Sequence, residues 1–208
     1  MIQVRDATKA RGRRTLWKGL SFDVAGGELV TVTGPSGSGK STLLDCVGQL
    51  ERLDAGRVIL GGEQSGRSRR RARLLRKHLL GYLFQDFGLV ADMTAEANVE
   101  LGRASRRTGV RAAEALDRVG LTGVSCYRVH ELSGGEQQRV ALARLIVKAP
   151  RVILADEPTS ALDEGNARMV LDVLQEFTAA GAAVLVATHS DDVRRLGTRT
   201  VRLPGATD

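Results

Sequence analysis

Nine residues constrain this chain more than any other stretch: Gly34-Pro35-Ser36-Gly37-Ser38-Gly39-Lys40-Ser41-Thr42. Their spacing is G-x-x-x-x-G-K-[ST]. Residues 28–33 (ELVTVT), rich in β-branched side chains, predict a strand before them, and residues 41–50 (STLLDCVGQL) predict a helix after them. Strand, glycine-rich turn and helix, in that order, are the setting in which this spacing forms a phosphate-binding loop. Glycines let the backbone wrap a phosphate chain without Cβ clashes and aim successive amides at the anion. The helix that follows adds the positive end of its dipole. Lys40 brings a point charge suited to β- and γ-phosphates, and Ser41 a hydroxyl suited to Mg²⁺.

The rest of the chain alternates strands and helices around that loop. Strands are predicted at 2–5, 20–24, 57–60, 80–84, 151–155, 182–188 and 201–203, and helices at 111–119, 136–148 and 165–180. Gly26-Gly27 and Asp54-Ala55-Gly56 are expected turns. Between Asp92 and Gly123 the pattern is helical, with Thr94 as an N-cap and Glu96 in the first turn. This stretch is expected to form a small helical lobe inserted into an α/β core. Such a core has a mostly parallel sheet with helices on both faces, and its ligand sits beyond the carboxyl ends of the strands.

Composition bounds the partners. The longest apolar run, 179–187, is half of the ~20 residues a membrane span needs. The first ten residues hold no apolar signal-peptide core, so the expected location is the cytosol. Cys46 and Cys126 have no spacing partner and read as small buried hydrophobes. The formal charge is +7, and the densest basic run is 67–77 (RSRRRARLLRK). It reads as a solvated helix face with Leu74 and Leu75 turned inward; lipid headgroups, a membrane partner or nucleic acid are the alternatives. With seven aromatic residues in all, the chain shows no aromatic-and-basic strand pattern that would stack bases, and no nucleic acid is expected.

Two further stretches carry chemistry. Residues 152–157 (VILADE) are an apolar strand ending in two acids. Asp156 is placed to hold Mg²⁺ and Glu157 to orient or deprotonate a water that attacks a γ-phosphate. Residues 132–139 (LSGGEQQR) put a second glycine-containing turn at a helix start, a second anion site by the same physics or a plain capped helix. One short chain cannot easily wrap a triphosphate with both loops, so the second is expected to face another copy's nucleotide.

Together these pieces resemble the ATP-binding subunit of an ABC transporter. LSGGEQQR matches that family's signature, and GPSGSGKST, ILADEP, Ser160-Ala161-Leu162-Asp163 and His189 follow in the expected order over essentially the whole chain. The stretch 81–87 (GYLFQDF) and the short length are most similar to macrolide, lipoprotein-releasing and bacteriocin-type exporter ATPases and the cell-division ABC ATPase. The resemblance implies a P-loop NTPase with a mostly parallel sheet core. It also implies an N-terminal antiparallel β subdomain and an inserted helical signature subdomain (85–132) between 1–84 and 133–208. It implies Gln85 as a glutamine that touches Mg²⁺ or the lytic water and senses the membrane partner, and Ser133, Gly134 and Gly135 as the clasp on the opposite subunit's γ-phosphate. Asp163 would cross the dimer interface, and His189 would contact the γ-phosphate. The implied cofactors are ATP and Mg²⁺. The implied partners are a second copy and an integral membrane permease on the inner face of the cell membrane.

Two positions depart from the pattern. Where the family places an aromatic residue to stack on adenine, this chain has Arg11, whose flat guanidinium can also lie on a base. Ser160 stands where the exporter group commonly carries glycine. Two other roles share these site residues or their fold: a cell-division-type ATPase that signals to a membrane partner without transport, and a soluble nucleic-acid-associated ABC ATPase. The latter carries two ATPase units or long coiled coils, which this chain lacks.

Overall fold

The computed structural model describes residues 1–64, 68–103, 109–160 and 162–205. Two sheets form. The first is antiparallel and contains β1 (Ile2–Arg11), β2 (Arg14–Val24), β4 (Ala55–Leu60) and β5 (Glu63–Gln64), in the order β2-β1-β4-β5. The second is parallel and contains β3 (Leu29–Thr33), β6 (Leu80–Leu83), β7 (Val152–Asp156), β8 (Ala183–Ala187) and β9 (Arg199–Arg202), in the order β6-β7-β8-β3-β9. Its central strands β7 and β8 are buried at every residue, as their unbroken apolar runs require of a sheet covered on both faces.

The two-residue period of these strands divides the core. Val30, Val32, Val152, Leu154 and Leu185 face the antiparallel sheet and helix α1 (Lys40–Val47), packing on Val4, Trp17, Leu43 and Leu44. Ile153, Ala155, Val184 and Val186 face the other way, onto a helical layer. That layer contains α3 (Ala95–Glu100), α4 (Ala112–Arg118), α5 (Gly134–Lys148) and α6 (Glu164–Ala179). Each large aliphatic side chain so buried contributes about 1.5–3 kcal/mol.

Several elements differ from expectation. β1 and β2 run on to meet in a tight hairpin, with Arg11 paired to Arg14 around Gly12 (φ 62°). Register shifts along β1, beside Asp6 at φ 49°, break the alternation that would have marked the strands in the sequence. The expected Gly26-Gly27 turn leads from one sheet to the other. α1 stops at Val47, where Gly48 caps it and Gln49 (φ 60°) turns the chain. Thr94 does cap α3, accepting from the Ala97 amide, but the described helix there is short and α4 is separate. The structure adds α7 (Asp191–Leu196), capped by Ser190, while the basic run forms the expected helix, α2 (Arg69–His78), capped by Ser68. On α2 only Leu75 turns inward; Leu74 is exposed among the arginines. Cys126 is exposed too, whereas Cys46 is buried and its thiol is pushed up to about 12 by that burial. Among the described residues no helix is long and apolar enough to cross a membrane.

Candidate functional site

Four neighbouring strands of the parallel sheet end on one edge. β6 runs out toward Gln85, β7 into Asp156 and Glu157, β8 into Thr188 and His189, and β3 into the loop 34–42. Their order, β6-β7-β8-β3, brings side chains far apart in sequence to one line.

The loop is shaped by its own packing. Gly39 precedes α1 with φ 88°, and a Cβ there would lie 2.9 Å from Trp17 Nε1 and 3.0 Å from Leu16 Cδ1. A Cβ on Gly34 would lie 2.7 Å from Ser38 Oγ. Neither position has room for a side chain, so the backbone itself forms the wall of the loop. Pro35 accepts from the Ser38 amide at 3.1 Å, Pro35, Ser36 and Gly37 stay exposed, and Thr42 is buried behind them. Lys40 is buried. Its Nζ donates to the Gly34 carbonyl at 3.1 Å and the Pro35 carbonyl at 3.4 Å, and lies 2.9 Å from His189 Nε2. An ammonium only donates, so His189 Nε2 accepts there and the ring proton of the neutral imidazole sits on Nδ1.

Glu157 and His189 are joined by the backbone. The His189 amide donates to Glu157 Oε2 at 3.2 Å, and Glu157 Oε1 stands 3.5 Å from His189 Nε2. With Nε2 turned to Lys40, that Oε1 has no hydrogen-bond partner although it is buried. Glu157 is also held at φ 45°, with its amide on Ala187 and its carbonyl taking both the Ser160 amide and hydroxyl. A non-glycine residue in that region is strained, and such strain collects at working sites.

Asp156 Oδ1 is a second buried oxygen without a partner. Burial pushes the Asp156 carboxyl pKa up, the Ser41 hydroxyl pulls it down, and the nearby Glu157 and Asp45 carboxylates push it up again. An orphaned carboxylate oxygen beside a serine hydroxyl, both hard donors, fits Mg²⁺. Among the described residues no three His, Cys, Asp or Glu side chains converge on one point. Mg²⁺ takes one or two protein oxygens and completes its shell with phosphates and water. A cavity of about 590 Å³ lies away from this edge, between the end of α1, β4 and α2, lined by Glu51, Arg57, Arg69 and Arg76. The candidate site is an open edge, and its chemistry follows from the converging polar atoms rather than from enclosure.

Gln85 is exposed just past the end of β6, and Phe87 and Gly88 beyond it are clamped from below. Arg144 of α5 donates to the Phe87 carbonyl at 2.9 Å and the Gly88 carbonyl at 2.6 Å, and its burial lowers its own pKa. Arg11, at the hairpin tip, is 66% exposed, with Glu51 only at 3.7 Å. Exposure leaves its guanidinium free to swing onto a base. Arg14, which sequence reasoning passed over, lies closer to the loop: a Cβ on Gly37 would come within 3.6 Å of its Nη1. Its position follows from the hairpin pairing, which the sequence did not reveal.

The second glycine turn stands apart from this edge. Ser133 caps α5 in a closed box: its amide and hydroxyl donate to Glu136 Oε2 at 2.8 and 2.6 Å, and its Oγ accepts from the Glu136 amide. Those bonds hold the Glu136 carboxyl below its usual range. Ser133 and Gly134 are exposed, and among the described residues 133–135 make no hydrogen bond to the loop 34–42. Gln138, one turn on, is buried and donates to the Pro158 carbonyl at 3.1 Å, tying α5 to the turn after Glu157. Asp163 caps α6 by accepting from the Asn166 amide at 2.9 Å and is exposed.

Over residues 17–160 the sequence matches the ABC transporter family. The chain belongs to the ABC transporter family. The macrolide export ATP-binding/permease protein MacB of Bordetella avium is 39% identical over 98% of this chain, which spans only 32% of that protein. The lipoprotein-releasing system ATP-binding protein LolD of a Jannaschia species is 40% identical over 89% of this chain and 85% of its own. The ATP-binding cassette MJ0796, solved as a dimer in a post-hydrolysis state bound to ADP and Pi, has a TM-score of 0.88 and 33% identity. That match covers 98% of this chain and 94% of that one. The parallel core and antiparallel N-terminal sheet described above are the fold of that ABC ATPase.

Proposed function

We propose that this ABC cassette binds and hydrolyses ATP as a dimer of two copies, and that dimer closure drives a membrane permease of the export type. The observation that carries this reading is a division of labour. Lys40, Ser41, Asp156, Glu157 and His189 converge on one edge, while Ser133, Gly134 and Asp163 stand exposed outside it, with Gly135 half-buried beside them. A second copy would bring its own 133–135 to that edge.

In this reading the loop amides of 34–42 and Lys40 hold the β- and γ-phosphates, and Lys40 exchanges two carbonyls for phosphate oxygens. Ser41, Asp156 and Gln85 would hold Mg²⁺, which neutralises phosphate charge when bound. Glu157 takes the proton of the attacking water on its unpartnered Oε1, and His189, released from Lys40 and carrying its ring proton on Nε2, donates that N–H to the γ-phosphate. The amides of Gly134 and Gly135 at the start of α5 would face the other copy's γ-phosphate. Positioning and charge neutralisation supply most of the acceleration. Residues 85–132 form the lobe on which the permease docks, with Gln85 as its sensor, at the inner face of the membrane.

The adenine site is the least conventional part. Arg11→Ala should weaken ATP binding about two- to fivefold, the worth of an exposed cation–π contact of about 0.5–1 kcal/mol. Isothermal titration with ATP measures it, and an unchanged dissociation constant would show that Arg11 does not stack. The transport assignment is tested by gently solubilising membranes and identifying what co-purifies. A polytopic membrane protein at fixed stoichiometry is expected; recovery of nucleic acid or soluble partners alone would contradict it.

A further inference from the structure

We propose that Asn166 is a positioning residue that locks Asp163 to the helix carrying 133–135, so that both meet a second copy as one rigid surface. The proposal rests on the dimer reading above. Asn166 lies in the first turn of α6 and belongs to none of the motifs that mark the site in the sequence. Its amide nitrogen and its Nδ2 donate to the two oxygens of Asp163, one each. Its Oδ1 accepts from Arg139 Nη1, in the second turn of α5. A Cβ on Gly135 would stand 3.4 Å from Nδ2, so the amide also lies against the second glycine of the turn.

The chemistry at this junction leaves few choices of side chain. Guanidinium groups only donate and carboxylates only accept, so a group between them must accept on one side and donate on the other. The planar amide of asparagine does both and fixes its own orientation in doing so. Aspartate would set a carboxylate against Asp163, and leucine would leave Arg139 Nη1 without its acceptor and Asp163 Oδ2 without its side-chain donor. Among the described residues the Arg139 side chain hydrogen-bonds to Asn166 alone, and its Nε is buried without a partner. The same bonds from Asn166 hold the Asp163 carboxyl below its usual pKa. α5 and α6 thus carry 133–135 and Asp163 on a shared strut, with Asn166, among the described residues, as its only polar link to Asp163 outside residues 163–165.

The test uses the Glu157→Gln protein with Mg-ATP, in which dimers accumulate instead of turning over. Adding Asn166→Ala should weaken the ATP-dependent dimer about tenfold by sedimentation, as expected when the two side-chain hydrogen bonds that hold the strut, of about 1 kcal/mol each, are lost and part of that positioning must be restored on assembly. ATP affinity of the single chain should stay within about twofold, because Asn166 touches no group of the phosphate edge. Adding Arg139→Ala to Asn166→Ala should cost no more than Asn166→Ala alone, since Arg139 acts through Asn166. Asn166→Asp should cost more than Asn166→Ala. Unchanged dimerisation of Asn166→Ala would overturn the proposal. So would a parallel loss of melting temperature and ATP affinity, which would mark Asn166 as a general support of the fold. If Glu157→Gln alone never dimerises, the dimer reading fails, and this inference falls with it in a recognisably different way.

Discussion

Lys40→Ala is expected to abolish measurable ATP binding while leaving the chain folded. The Nζ group is the one full positive charge inside the loop, and it already makes two hydrogen bonds to carbonyls there. Charged hydrogen bonds to phosphate contribute about 1.5–3 kcal/mol each. Losing two or three of them, with the charge itself, amounts to about 3–6 kcal/mol, a drop of roughly 10²–10⁴-fold in affinity. Folding should survive, because the aliphatic stem of Lys40 is a small part of a core formed by Leu43, Leu44, Val30 and Val32. Equilibrium binding of a labelled ATP measures the effect. Near-normal affinity would show that the 34–42 loop is not the phosphate site.

Glu157→Gln is expected to remove turnover and spare binding. Glutamine keeps an oxygen to accept from the His189 amide, so the loop after β7 should hold its shape. It removes the group able to take a proton on Oε1, the oxygen that no protein donor satisfies. General bases are worth about 10²–10⁴-fold in rate, and single-turnover phosphate release should fall by that range. ATP affinity should change by less than about threefold, since no charged contact to phosphate is lost. Turnover close to that of the unsubstituted protein would assign the base elsewhere, with His189 the nearest titratable neighbour.

The residues that were legible in the sequence are those whose roles are set by local backbone. The loop 34–42, the strand ending in Asp156 and Glu157, and the Ser133–Glu136 box each declare themselves within a few residues, because phosphate wrapping, strand exit and helix capping are short-range devices. The alternation of strands and helices placed the parallel sheet for the same reason. What stayed hidden depends on residues distant in sequence. The long β1–β2 hairpin, and with it the approach of Arg14 to Gly37, is masked by irregular register. The Arg144 clamp under Phe87 and Gly88 spans 56 and 57 residues, and the Gln138 tie to Pro158 spans 20. Leu74 and Cys126 were expected inside on hydrophobicity alone. Burial is decided by what an element packs against, and α2 offers only Leu75 to the core.

The central claim is that two copies complete each other's sites. The measurement that bears on it most directly is the mass and nucleotide content of the Glu157→Gln protein in Mg-ATP, by sedimentation with scanning of both protein and nucleotide. The account predicts a particle of twice the 22.3 kDa chain with two ATP molecules, reverting to single chains when ATP is removed. Single chains that each retain one ATP at saturating nucleotide and high protein concentration would contradict it.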